Sequence, residues 1–176
     1  MSNTPAKTGL RPIFSAEQIA AAVRRIGKEL TSDYAGGQPH LLVVLKGAFV
    51  FAADLARCIE LPVTMDFIRI SSYCGTLSSG SVHLALPHET NLRDKDILIV
   101  EDILDTGLSL RYLVSSLAAQ QPRSIKTCVL ITKQLPGTVV IEPDYHGFYW
   151  DGGFLAGYGL DDNELLRNLP EIYELS

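Results

Sequence analysis

The chain has 176 residues, of which 47% are hydrophobic and 20% charged, a composition typical of a globular domain that buries a sizeable core. Its formal net charge of −5 argues against broad electrostatic binding to nucleic acid or to an anionic membrane. No apolar run approaches the roughly 18 residues of a membrane-spanning helix, and the polar N-terminal stretch lacks the apolar core of a signal peptide. Three cysteines (Cys58, Cys74 and Cys128) form an odd set without metal-site spacing, so we expect reduced thiols and a cytoplasmic protein.

The first part of the chain predicts two helices and two strands in alternation. Ser15 and Gln18 form a capping-box pattern, and it leads into a helix with one apolar stripe, made of Ile19, Val23, Ile26 and Leu30. The segment His40 to Leu45 then predicts a buried strand, Ala48 to Ile59 a helix, and Met65 to Ile70 a second strand.

The middle of the chain continues this alternation after a polar interruption. Residues 71–94 are rich in Ser, Gly and Thr, with one weak strand at about Val82 to Leu86, and their length predicts a lid over a binding site. A strand begins at Ile97, a helix covers Leu108 to Ala119, and a further strand covers Ile125 to Thr132. This order predicts an α/β fold with a doubly wound, mainly parallel sheet flanked by helices.

The C-terminal segment, rich in Gly and aromatic residues, does not continue the alternation and predicts a small cap over the edge of the sheet. We therefore expect a single domain over residues 1–176. Its core covers about residues 36–135, and its hood combines about residues 1–14 and 136–176.

Carboxylates cluster where the strand that begins at Ile97 ends. Glu101, Asp102 and Asp105 follow four apolar residues, although unpaired charges are costly to bury. Ligands of open α/β sheets bind at the C-terminal ends of strands, so these residues predict a binding site. Glu101 and Asp102 point in opposite directions if extended, and they suit a shared metal or the hydroxyls of a sugar; a surface acidic pair is the alternative.

The turn Asp105-Thr106-Gly107-Leu108-Ser109 connects this strand to the next helix. Backbone N–H groups at a helix N-terminus carry partial positive charge, and the Thr106 and Ser109 hydroxyls add donors, so the turn predicts a phosphate site. The alternative is an ordinary helix cap made by Asp105 or Thr106.

The run from Glu101 to Gly107 resembles the phosphoribosyl diphosphate motif of type I phosphoribosyltransferases. The particular residues from Val100 to Gly107 are similar to those of the hypoxanthine-guanine branch. The similarity extends over about residues 13–174, with further matches in order along the chain: Leu45-Lys46-Gly47, Asp66 to Arg69, Ser72-Tyr73, Lys133, Phe154, Gly157-Tyr158, Asp161 and Arg167. The resemblance implies a Mg²⁺-dependent transfer of 5-phosphoribose from phosphoribosyl diphosphate to a 6-oxopurine, with release of diphosphate.

The resemblance also implies the roles of the motif residues. Residues 105–109, through Asp105, Thr106, Gly107, Leu108 and Ser109, hold the 5-phosphate, and Glu101 and Asp102 address the ribose hydroxyls and the associated metal. Asp105 is in addition the general base near purine N7, a role for which a carboxylate is suited because it accepts the proton that the purine loses.

The purine site that the resemblance implies lies beyond this motif. Lys133 donates to the 6-oxygen, Phe154 stacks on the purine, and the backbone of Leu155 reads the base edge. A lysine offers donors only, so it favours an oxo group over the amino group of adenine. From their positions alone, Lys133 equally predicts a side chain that reaches solvent, and Phe154 a core aromatic.

The diphosphate site and the lid complete the implied set. Leu45-Lys46-Gly47 resembles the diphosphate loop, whose first peptide bond is cis in some family members. Arg167 resembles a diphosphate contact, Asp161 a second magnesium ligand, and Ser72-Tyr73 the tip of the lid. The resemblance further implies a homodimer or homotetramer.

Two alternatives remain open from the sequence. One is a type I phosphoribosyltransferase for another base, xanthine or uracil, and Asp162, which stands where an aromatic residue is common, leaves xanthine use open. The other is a non-catalytic regulator that senses nucleotides or binds RNA, against which the acidic charge and the presence of Lys46, Asp105 and Lys133 argue.

Overall fold

The computed structural model describes residues 9–72, 82–85, 90–134 and 142–175, and the elements below are those of the described residues. The strands are β1 Leu10–Phe14, β2 Pro39–Leu45, β3 Thr64–Ser72, β4 Val82–Ala85, β5 Asp96–Leu104, β6 Ser124–Lys133, β7 Tyr145–Trp150, β8 Phe154–Ala156 and β9 Ile172–Leu175. The helices are α1 Ala16–Asp33, α2 Phe49–Cys58 and α3 Leu108–Ala118.

The main sheet has six strands in the order β4-β3-β2-β5-β6-β7. The five strands β3, β2, β5, β6 and β7 run parallel, and β4 pairs antiparallel with β3 at one edge. Helices flank the sheet, so the predicted doubly wound, mainly parallel α/β fold is confirmed.

Alternation along the central strands creates a hydrophobic core on each face of the sheet. On one side, Leu41 and Leu98 join the buried residues of α1 and α2; on the other, Leu42 and Ile99 join those of α3. All four of these strand residues are fully buried, because successive side chains of a strand point to opposite faces and both faces carry helices.

The start of α1 confirms the capping prediction. Ser15 accepts a hydrogen bond from the backbone N–H of Gln18, and the Gln18 side chain accepts one from the backbone N–H of Ser15. The predicted apolar stripe of this helix is buried. The other predicted helices and strands are also present, with ends that differ by one or two residues.

A three-stranded antiparallel sheet, in the order β1-β9-β8, forms the hood. The prediction that the C-terminal segment leaves the main sheet is wrong for residues 145–150, which form β7 and pair in parallel with β6. The short segment Tyr-His-Gly-Phe-Tyr-Trp carries polar residues between its aromatic ones, and an edge strand of this kind lacks the apolar run of a central strand. The single-domain organisation stays a prediction.

Most of the predicted lid, including Tyr73, lies outside the described residues. Val82–Ala85 does form the expected strand. Among the described residues, no helix is both long enough and apolar enough to cross a membrane.

Candidate active site

A cavity of about 410 Å³ opens at the C-terminal ends of the central parallel strands. Eight residues predicted from the sequence line it: Leu45, Lys46, Gly47, Glu101, Asp102, Ser109, Asp161 and Arg167. They come from the ends of β2 and β5, the first turn of α3 and the chain between β8 and β9. The ends of the parallel strands and the segment between β8 and β9 therefore bring together side chains that lie up to about 120 positions apart.

Glu101 and Asp102 lie in the C-terminal half of β5. Both are only partly exposed, which excludes an ordinary surface acidic pair. Burial, reinforced by the neighbouring charge of Asp102, raises the pKa of Glu101 to about 8. Burial likewise raises the pKa of Asp102 to about 6, although backbone N–H groups and Arg167 oppose this shift. Perturbed carboxyls of this kind, lining a cleft, are typical of functional sites.

The loop after β2 packs against Asp102 at very close range. A Cβ atom on Gly47 would lie 1.8 Å from Oδ2 of Asp102, so only glycine fits there. Gly159 has a φ of +100°, and a Cβ on it would lie 2.2 Å from the Gly47 carbonyl oxygen. The peptide bond between Leu45 and Lys46 is cis. Two glycines thus allow this loop to approach both the carboxylates and the C-terminal segment.

The turn at residues 105–109 leads into the N-terminus of α3, whose first backbone N–H groups have no partner within the helix. Its N-cap is Gly107, with a left-handed φ of +74°, and no side chain caps the helix. The alternative of a cap by Asp105 or Thr106 is therefore not what the structure shows. Leu108, the first helical residue, is exposed, and Ser109 lines the cavity. An uncapped helix start beside a polar cavity suits an anion.

Lys133 and Asp105 meet at the ends of two adjacent parallel strands. Nζ of Lys133 lies 3.8 Å from Oδ1 of Asp105, and the lysine side chain is only 15% exposed whereas that of Asp105 is 56% exposed. Lys133 therefore does not simply extend into solvent. The pair offers a donor and an acceptor next to each other, at the edge of the turn at residues 105–109.

Phe154 begins β8 in the hood and is 55% exposed, so the alternative of a core aromatic is wrong. Leu155 is buried beside it. The turn that precedes Phe154 is held by Glu174, which accepts a hydrogen bond of 2.7 Å from the Gly153 backbone N–H and pairs with Arg11. The hood thus presents one aromatic ring on a fixed strand.

Two of the cations that line the cavity, Lys46 and Arg167, are paired with carboxylates. Nζ of Lys46 lies 2.9 Å from Oε2 of Glu164, and this hydrogen bond lowers the pKa of the Glu164 carboxyl. Arg167 pairs with Oδ1 of Asp161 at 2.7 Å and donates to the Gly159 carbonyl at 2.8 Å. Asp161 also accepts from the backbone N–H of Glu164, so both of its oxygens are engaged.

The carboxylates of the cavity suit Mg²⁺ as partial ligands rather than as a complete protein cage. Among the described residues, no group of three or more potential ligands is assembled into a ready metal cage. Oε2 of Glu101 is buried and has no hydrogen-bond partner in the described part of the chain. Mg²⁺ is usually held by one or two carboxylates together with substrate phosphates and water, so carboxylates at an anion site suit it without a cage.

Two charged residues that line this cavity, Arg69 and Glu164, are not among the site residues predicted from the sequence. Arg69 ends the run Asp66 to Arg69 that resembles the family, and its place in the C-terminal half of β3 could have suggested it. Glu164 lies in an irregular segment, where no periodicity predicts the direction of a side chain. Of the two predicted lid residues, Ser72 ends β3, and Tyr73 is outside the described residues.

Comparison with known proteins adds independent evidence. The model of the phosphoribosyl transferase domain family matches residues 12–163. The hypoxanthine-guanine phosphoribosyltransferase of Bacillus subtilis is 42% identical over 161 residues, which cover 91% of this chain and 89% of that protein. A crystal structure of a hypoxanthine phosphoribosyltransferase from Staphylococcus aureus matches with a TM-score of 0.90 and 34% sequence identity. The match covers 100% of this chain and 97% of the Staphylococcus aureus chain.

Some relatives are much longer than this chain. The bifunctional protein TilS/HprT of Listeria innocua is 40% identical over 161 residues, which are 91% of this chain but only 25% of that protein. This chain thus spans about a quarter of the Listeria protein. With the family model covering residues 12–163 and a near full-length relative at 42% identity, the chain belongs to the phosphoribosyl transferase domain family.

Proposed function

We propose that this protein is a purine-salvage enzyme that transfers 5-phosphoribose from phosphoribosyl diphosphate to hypoxanthine or guanine, giving IMP or GMP and diphosphate. The observation that carries the proposal is the pairing of Lys133 with Asp105, 3.8 Å apart, beside a cavity lined by carboxylates and cations. A 6-oxopurine presents an oxo group for the lysine and an N7 proton for the carboxylate. The relatives named hypoxanthine-guanine phosphoribosyltransferase support the same function.

The 5-phosphoribosyl group is held by the motif that ends β5. The backbone N–H groups at the start of α3, with the Thr106 and Ser109 hydroxyls, bind the 5-phosphate. Glu101 and Asp102 accept hydrogen bonds from the ribose hydroxyls. Asp102, whose pKa of about 6 leaves it ionised at neutral pH, also favours the positive charge that develops on the ribose as the bond to diphosphate breaks.

The purine is held between the hood and the strand ends. Phe154 stacks on the ring, the Leu155 backbone binds the base edge, and Lys133 donates to the 6-oxygen. Asp105 accepts the N7 proton as N9 attacks the anomeric carbon, which restores a neutral purine in the product.

Diphosphate binds at the Leu45-Lys46-Gly47 loop and Arg167, where ammonium and guanidinium donors match phosphate oxygens. Glu101, Asp102 and Asp161 are the residues that would hold Mg²⁺ together with the substrate. Bound there, Mg²⁺ would neutralise charge on the diphosphate leaving group. Closure of the segment that contains Ser72 and Tyr73 would exclude water from the reacting ribose.

The test is an assay of nucleotide formation with Mg²⁺ and phosphoribosyl diphosphate, with hypoxanthine, guanine, xanthine, adenine and uracil in separate reactions. We expect IMP or GMP and no AMP. Formation of nucleotide from xanthine or uracil alone would assign another base, and no product with any base would overturn the proposal.

We further propose a single-domain, cytoplasmic enzyme that assembles as a homodimer or homotetramer. Free thiols at Cys58 and Cys128 support a reducing compartment, and the family resemblance supports the assembly. Sedimentation velocity over a range of protein concentrations tests the oligomeric state, and a monomer at all concentrations would contradict it.

A further inference from the structure

One carboxylate oxygen engages both cations of the proposed diphosphate site. Oε2 of Glu164 lies 2.9 Å from Nζ of Lys46 and 3.4 Å from a guanidinium nitrogen of Arg167. Lysine and arginine side chains carry donors only, so they pair with anionic or carbonyl acceptors or with water. In this structure Glu164 is the acceptor that the two cations share.

The backbone holds Glu164 at the rim of the cavity. Reciprocal backbone hydrogen bonds join Asp162 and Leu165, at 3.1 and 2.9 Å, and so close a short loop around it. The Glu164 backbone N–H donates to Oδ2 of Asp161 at 2.8 Å, and its φ is +67°. The side chain itself is 65% exposed, so solvent can solvate the carboxylate once it leaves the cations.

A diphosphate group and the Glu164 carboxylate compete for the same donors. Both are anions with oxygen acceptors, and the cavity already contains Glu101, Asp102 and Asp161. Two anions that share one pair of cations in this acidic surrounding repel each other. Binding of diphosphate at Lys46 and Arg167 therefore requires the Glu164 side chain to leave.

We propose that Glu164 acts as an internal substitute for diphosphate: it pairs with Lys46 and Arg167 in the free protein and is displaced when the diphosphate group binds. This role rests on the proposed function. When the diphosphate product leaves, the Glu164 carboxylate replaces it on the same two cations. Glu164 thus weakens the binding of diphosphate and of phosphoribosyl diphosphate, and it favours release of the product.

The expected effect is modest because the ion pairs are exposed to solvent. Solvent screens such pairs, so their loss corresponds to about a two- to fivefold change in an equilibrium constant. If Glu164 instead positioned Lys46 for the substrate, its removal would weaken diphosphate binding. The sign of the change therefore separates the two roles.

The test is isothermal titration calorimetry of Mg²⁺-diphosphate with the wild-type protein and the Glu164→Gln variant, together with the KM for phosphoribosyl diphosphate. We expect the variant to lower both the Kd and the KM about two- to fivefold, with a thermal unfolding temperature within about 2 °C of wild type. Asp162→Asn is the matched control: it removes one charge from the same loop, and Asp162 contacts Asn163 rather than either cation.

Three results would overturn the proposal. An unchanged or higher Kd in Glu164→Gln, with a wild type that binds diphosphate, would exclude the substitute role and leave the proposed function intact. An equal fall in the Kd of Asp162→Asn would assign the effect to net charge alone. A wild type that neither binds Mg²⁺-diphosphate nor forms nucleotide would overturn the proposed function together with the role of Glu164.

Discussion

Glu101 should destabilise the ligand-free protein at alkaline pH. Its pKa rises from 4.5 to about 8 because burial disfavours the charged carboxylate. The unfolded chain ionises Glu101 near pH 4.5, whereas the folded protein retains the proton, so the free energy of unfolding falls as pH increases between these two values. A difference of about 3.5 pKa units corresponds to about 5 kcal/mol, a large share of the ~5–15 kcal/mol by which most domains are stable.

Glu101→Gln removes this fall in the free energy of unfolding with pH, because glutamine stays neutral. The buried amide gains N–H donors at a place where Oε2 of Glu101 has no described partner, which costs about 1–3 kcal/mol. We therefore expect the variant to be about 2–4 kcal/mol more stable than wild type at pH 8.5 and slightly less stable at pH 5. The same variant should lose most of its transferase activity, since a ribose contact is lost.

The assay is urea unfolding at pH values from 5 to 9, in the presence of a chelator so that no divalent cation binds. Glu60→Gln is the matched control, because it makes the same substitution at an exposed residue, and its stability difference from wild type should stay near zero at every pH. A constant difference between Glu101→Gln and wild type over the whole pH range would refute the argument that burial keeps Glu101 protonated.

Three further predictions concern the base, the purine and the sheet. Asp105→Asn should lower kcat by about 10²-fold or more, the usual range for a general base, and an unchanged kcat would remove Asp105 from that role. Lys133→Ala should raise the KM for hypoxanthine and guanine by about tenfold or more, as expected for the loss of one charged hydrogen bond. The KM for phosphoribosyl diphosphate should change little, and equal increases in the KM values for base and phosphoribosyl diphosphate would contradict the 6-oxygen contact. Burial lowers the pKa of His40, whose Nδ1 lies 2.7 Å from Oγ1 of Thr64. Wild type should therefore lose stability relative to His40→Gln as pH falls from 7 to 5. Parallel urea titrations of the two proteins check this, and a stability difference that stays constant with pH would contradict it.

Local chemistry explains why much of the fold was predictable. The capping box at Ser15 and Gln18 involves residues three apart, and a buried parallel strand needs an apolar run such as that of β5, so both features are visible in short windows. The carboxylates at the end of β5 were visible for a related reason, because buried charge is costly and its position therefore informative. Edge strand β7 lacked such a pattern and was assigned to the hood.

By itself, the sequence determined the order of helices and strands and the position of the acidic motif, together with a family resemblance that names the site residues. The tertiary structure alone decided which of these residues meet: Lys133 with Asp105, Gly47 with Asp102, and Lys46 with Glu164. Such contacts join residues between 28 and 118 positions apart across parallel strands and irregular loops. No local periodicity carries information about them, because they depend on how the elements pack in three dimensions.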